Sequence, residues 1–159
     1  MTESGAGGLV DKKLSGKAER LRSILDTAVD GIITIKGDGT VEQFNRAAER
    51  IFGYLEKDIV GQNITMLMPS PYREEHDSYL KRYLTTREPR IIGIGREVVG
   101  RRKDGTLVPL ELAVGECSSE DELRFTGFVR DITARKESER LLREQSQLLN
   151  NVREAILVT

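Results

Sequence analysis

The chain of 159 residues carries 25 basic and 26 acidic side chains, one His (His76), one Cys (Cys117) and no Trp. A single Cys and a single His exclude a disulfide framework and a Cys/His zinc cluster, and a net charge of -1 argues against a domain that holds nucleic acid by bulk electrostatics. No apolar run approaches the about 18 residues needed to cross a bilayer, and Met1 to Gly5 lacks the basic start and apolar stretch of a secretory leader, so the expectation is a cytoplasmic chain without membrane contact.

Residues 1–17 are rich in Gly, Ser and charge without periodicity, and read as a flexible tail. Leu21, Ile24, Leu25 and Ala28 repeat at helical spacing and predict a short helix over about 17–28. Gly31 to Lys36 and Thr40 to Phe44 flank the turn signal Gly37-Asp38-Gly39 and predict a β-hairpin. Asn45 then caps a short helix whose face is Ala47, Ala48, Ile51 and Phe52, with Gly53 as its stop. Short helical or turn pieces over 55–70 lead to a longer helix from Pro71 to about Thr85. Three strands follow, at about 95–103, 107–117 and 122–131. In the middle strand Val108, Leu110, Leu112 and Val114 alternate with Pro109, Glu111, Ala113 and Gly115, as a half-buried antiparallel strand requires. The order predicts an α+β fold: a five-stranded antiparallel sheet with helices on one face.

From Ala134 the pattern is helical and highly charged. The chain is 32% charged, against a usual value of about 25%, and seven of the fourteen residues 134–147 are charged. Leu142, Gln145, Leu149, Val152 and Ile156 fall at alternating spacings of three and four, a short coiled-coil-like heptad pattern. It implies a homodimer; the alternative is an amphipathic helix lying on its own domain. Ile24 to Ile33 also matches Leu148 to Leu157 in character without a gap, which reads as the start of a second copy of the same domain. Chance similarity between two amphipathic helices is the alternative. The expected organisation is a tail at 1–17, a sensor domain at 18–133, a signalling helix at 134–151 and a truncated repeat at 148–159.

On the 71–85 helix, Tyr72, His76, Tyr79, Leu80 and Tyr83 share one face, so His76 points inward among apolar groups. The residues alone leave two readings open, a hydrogen-bonded core His and a metal ligand. Arg82 lies at the edge of that face. Arg96 opens a strand in which it alternates with Glu97, and Gly93 and Gly95 before it permit hinge movement. Gly93-Ile94-Gly95 lacks the third glycine of a dinucleotide loop, His76-Asp77 point apart and make a poor dyad, and no nucleophile–base pair is visible, so no enzyme activity is expected of the chain itself. Cys117 reads as an inert, small buried side chain.

Phe44-Asn45-Arg46-Ala47-Ala48-Glu49-Arg50-Ile51-Phe52-Gly53-Tyr54 resembles the signature region of PAS domains. So does Thr126-Gly127-Phe128-Val129-Arg130-Asp131-Ile132-Thr133, which leads into a charged helix. His76-Asp77-Ser78-Tyr79-Leu80-Lys81-Arg82-Tyr83, with Pro89-Arg90-Ile91-Ile92-Gly93-Ile94-Gly95-Arg96, resembles more narrowly the haem-binding PAS domain of oxygen-sensing histidine kinases of the FixL type. That resemblance implies haem b as cofactor and His76 as the ligand of its iron. It implies Arg96 as the donor to a bound diatomic gas, and Ile91, Leu112 and Val114 as apolar neighbours. Tyr79, Leu80 and Tyr83 would complete the pocket, with Arg82 and Arg90 as contacts to the haem carboxylates, although FixL-type chains often carry a His where this one has Arg90. The implied function is a module that senses oxygen or another diatomic gas within a two-component system, regulating an output such as a histidine kinase. The alternatives are a cofactor-free PAS dimerisation module and a PAS domain that binds flavin or another small molecule.

Overall fold

β-Branched residues in Gly31–Lys36 (β1) and Val41–Phe44 (β2) pair antiparallel, Ile33 opposite Phe44. Asp38 holds their turn by accepting the Thr40 amide at 2.9 Å, and that bond is the main reason its carboxyl sits below the usual range. The computed structural model describes residues 6–86, 95–119 and 121–157. Ahead of the hairpin lies α1, Ala6–Thr27. It starts well before Lys17 and takes in much of the segment that composition marks as a tail. Gly7, Gly8 and Gly16 each weaken a helix by about 1 kcal/mol relative to Ala, which is why periodicity places the start too late.

Asn45 joins three elements and the loop between two of them. Its Oδ1 accepts the Ala48 amide at 3.0 Å, capping α2 (Arg46–Phe52), and the Ile32 amide of β1 at 2.8 Å. Its Nδ2 donates to the carbonyl of Leu25 in α1 and to that of Asp30. Gly53 ends α2 at φ 82°, a left-handed position that glycine takes without strain. Then come α3 (Glu56–Ile59), a 3-10 turn at Ile64–Leu67 and α4 (Tyr72–Thr86).

The remaining strands are β3 (Arg96–Arg101), β4 (Leu107–Glu116) and β5 (Arg124–Asp131). All pairings are antiparallel and the sheet order is β2-β1-β5-β4-β3, the five-stranded α+β architecture that the element order predicts. Residues opposite one another share a face. The inner face therefore carries Phe44, Ile33, Val129, Leu110 and Val108, all buried, against Ala48, Phe52, Ile59 and Leu67 from the helical layer. α2 approaches at backbone contact: a Cβ on Gly31 would stand 2.6 Å from Val129 Cγ2 and 3.2 Å from Ala48 Cα.

α5 (Thr133–Leu157) leaves the sheet at Asp131, whose carboxylate accepts the Thr133 amide at 2.9 Å. None of its residues is buried, and Leu142, Leu149 and Ile156 are exposed, so beyond its first turn this helix does not lie on its own domain. Leu148 to Leu157 remains helical, whereas its counterpart leaves α1 at Thr27 and enters β1 at Gly31. Cys117, expected to be buried, is exposed at the end of β4 with Sγ 3.1 Å from Thr126 Oγ1. Among the described residues no helix is long and apolar enough to cross a membrane.

Candidate functional site

The inward side of α4 is narrower than sequence periodicity implies. His76, Leu80 and Tyr83, at spacings of four and three, are half-buried, while Tyr72 and Tyr79 are exposed. The tyrosines on the flank escape burial because a single layer beneath one helix covers only a stripe. Leu80 and Tyr83 pack on the core. The Tyr83 ring stands edge-on to Phe125 with centroids 5.3 Å apart, and its hydroxyl donates to the Glu116 carboxylate.

His76 differs from both of these neighbours. Its Nδ1 is buried and has no hydrogen-bond partner among the described residues. Burial lowers the imidazole pKa, against a smaller opposing effect of Asp77. The ring is accordingly neutral at pH 7, the state in which imidazole binds a metal. Leaving a buried polar atom unsatisfied costs about 1–3 kcal/mol.

The sheet supplies a facing wall. Leu112 and Val114 are partly buried on the inner face and pack against the core. Arg96 is directly opposite Leu112, so it begins β3 on that same face, and its side chain is exposed. Gly127 lies opposite both Val114 and Ile33 and brings no side chain to the inner face. A Cβ there would only reach ordinary contact, 3.5 Å from Leu112 Cδ1, so the wall has a shallow recess between Ile33 and Val114.

Arg82 is on the exposed flank of α4. Arg90 and Ile91 lie outside the described residues. The structure thus gathers Leu80, Tyr83, Leu112 and Val114 onto the core with Arg96 at the same sheet face, and sets Tyr79 and Arg82 at the surface. Two participants escape sequence reasoning. Glu116 looks like a solvated strand end, and no local signal ties it to Tyr83, which is 33 residues away. Gly127 sits within a quoted motif, but its missing side chain acquires meaning only once the register is known. A separate open depression of about 450 Å³, lined by Lys36, Thr40, Val41, Glu42, Gln43, Val60 and Gly61, contains none of these residues. Among the described residues no group of three or more His, Cys, Asp or Glu is placed to hold a metal ion.

Residues 19–132 match the family model described as the PAS fold. Sensor protein FixL of Bradyrhizobium diazoefficiens is 49% identical over 142 residues, which are 89% of this chain and 28% of that protein. The cell-division control histidine kinase PdhS of Brucella ovis is 29% identical over 150 residues, 87% of this chain and 14% of that protein. The chain therefore spans less than a third of the length of either curated relative. Among solved structures, the PAS domain of an HTR-like protein from Haloarcula marismortui superposes with TM-score 0.63 at 24% identity, covering 79% of this chain and 99% of that one. That likeness concerns the fold alone. An RNA-binding light-oxygen-voltage receptor superposes with TM-score 0.60 at 17% identity, over 92% of this chain and 40% of the other. With its hairpin, Asn45-capped helix and three-stranded return all inside the matched span, the chain belongs to the PAS family.

Proposed function

We propose that this chain is the sensing portion of a cytoplasmic signalling protein, that its pocket takes haem b, and that its signal is oxygen or another diatomic gas. The observation that carries the reading is the His76 imidazole, half-buried and with its pKa lowered by burial, whose buried Nδ1 has no hydrogen-bond partner among the described residues. The apolar wall of Leu112 and Val114, with no side chain at Gly127 beside them, would lie against a flat apolar group, and the 49% identity to a sensor protein FixL adds independent support. His76 would hold the iron. Leu80, Tyr83, Leu112, Val114 and Ile91 would keep water from it, and Arg96 would supply a donor on the apolar wall. Arg82 and Arg90 would meet the haem carboxylates, with Tyr79 beside them. When bound, haem supplies an iron with one open face for a diatomic ligand. The chain's own part is to orient the ring, exclude water and pass a change in β3 and β4 into α5. Coupling of about 1–3 kcal/mol is enough for such a switch.

In this reading residues 18–133 are the sensor, 134–151 the signalling helix, 148–159 the opening of a second repeat, and the exposed apolar residues of α1 and α5 the seams of a homodimer. The output is a histidine kinase borne by the longer protein. A second reading, a cofactor-free interaction module, draws on the packing of Leu80 and Tyr83, which already fill part of the inner face with protein.

The test is to add haem to the purified chain and record its visible spectrum. A Soret band that titrates to one haem per chain is expected. A colourless protein that ignores haem would favour the second reading, and a bound flavin spectrum would replace haem with flavin.

A further inference from the structure

Glu97 of β3 and Glu111 of β4 stand directly opposite one another on the outer face of the sheet. Like charges in that position weaken a strand pair. Arg135 and Lys136 lie in the first turn of α5, which contains no acidic residue. Cations there oppose the helix dipole. Each arrangement is unfavourable on its own terms, and the two meet. Arg135 donates to Glu97 at 3.1 Å and to Glu111 at 3.2 Å, and Lys136 pairs with Glu97. The other cation facing Glu111 across the sheet, Arg130, is turned to Asp30 at 3.0 Å. Two local conflicts that are relieved only by a contact between elements mark that contact as more than a solvated surface.

We infer that Glu97 and Glu111 form an ion-pair latch that docks the first turn of α5 on β3 and β4, so that movement of β3 is passed to the helix. Arg96, the adjacent residue of β3, faces the opposite side, so the strand joins the candidate pocket to the latch. The inference rests on the sensor reading only for what moves β3; the latch itself is a property of the chain without any ligand. Because every side chain in it keeps more than a third of its surface in solvent, it is weakened by salt, and at 1 M the screening length is about 3 Å.

The test is a spin-label distance measurement on the full chain in a Cys117→Ser background. Labels are placed at Asp58→Cys in α3 and Gln145→Cys in α5, and the sample is diluted with unlabelled chain so that only intramolecular distances contribute. A narrow distance distribution is expected at low salt, lost at 1 M salt and lost in E97Q/E111Q. The charge-swapped chain E97K/E111K/R135E/K136E regains it. A distribution unchanged by salt or by E97Q/E111Q overturns the latch, as does failure of a folded charge-swapped chain to regain it. Since no haem is added, a negative haem spectrum leaves this result standing, and the converse also holds.

Discussion

The Tyr83 hydroxyl on α4 donates a hydrogen bond to the carboxylate of Glu116, the last residue of β4. With the Tyr83 ring against Phe125, this bond anchors the C-terminal half of the helix to the sheet. Tyr83→Phe keeps the ring and removes the donor. It is expected to lower stability by about 1 kcal/mol, read as a lower urea midpoint with an unchanged slope. Glu116→Gln keeps an acceptor and should cost less.

His76 makes an opposite prediction for the protein without haem. A packing histidine loses stability when replaced. One that buries an unpartnered nitrogen does not, so His76→Leu is expected to be at least as stable as the parent at pH 7 in urea unfolding. A loss of 2 kcal/mol or more, about the cost of a broken buried hydrogen bond, would show that the ring has a structural partner.

The pH dependence follows from the same burial. The folded imidazole pKa is lowered, first by desolvation, while the unfolded value is about 6.5. Between the two the unfolded chain binds more protons, so stability rises with pH. The contribution of His76 is complete above about pH 6.5 and is lost as pH falls through the folded value. Urea midpoints compared on either side of that window should differ more for the parent than for His76→Leu.

Gly31 and Gly127 separate packing from pocket. Gly31→Ala forces a Cβ to 2.6 Å from Val129 Cγ2 and is expected to destabilise by about 1–3 kcal/mol. Gly127→Ala meets only ordinary contacts and should leave the melting curve nearly unchanged. Gly127→Val fills the recess, and its expected effect is weaker haem uptake by a folded protein, read by titration.

Asn45→Ala removes a cap and three further hydrogen bonds at a buried position. The expected loss is about 2–4 kcal/mol, combining cap and unsatisfied-group costs. Amide exchange should rise both at the end of α1 and in β1, because the side chain joins the two.

The fold was legible because its signals are local. Gly37-Asp38-Gly39 marks a turn, Asn45 and Gly53 bracket α2, and alternation in β4 marks a half-buried strand. The site was legible only in part. Periodicity places His76, Leu80 and Tyr83 inward but cannot distinguish a half-buried ring from an exposed one on the same side, so Tyr72 and Tyr79 appear equivalent to them. The recess at Gly127 depends on register across three strands, and the Glu97–Glu111 pair on a cross-strand alignment and a helix arriving from elsewhere. Neither is a property of any one segment.

The most direct test of the central proposal, that His76 would hold the iron of a bound haem, is haem binding by His76→Gly with and without free imidazole. A Soret band is expected in the parent, with loss or marked shift of that band in His76→Gly and its restoration by imidazole entering the vacated space. A parent-like spectrum in His76→Gly, indifferent to imidazole, would contradict it.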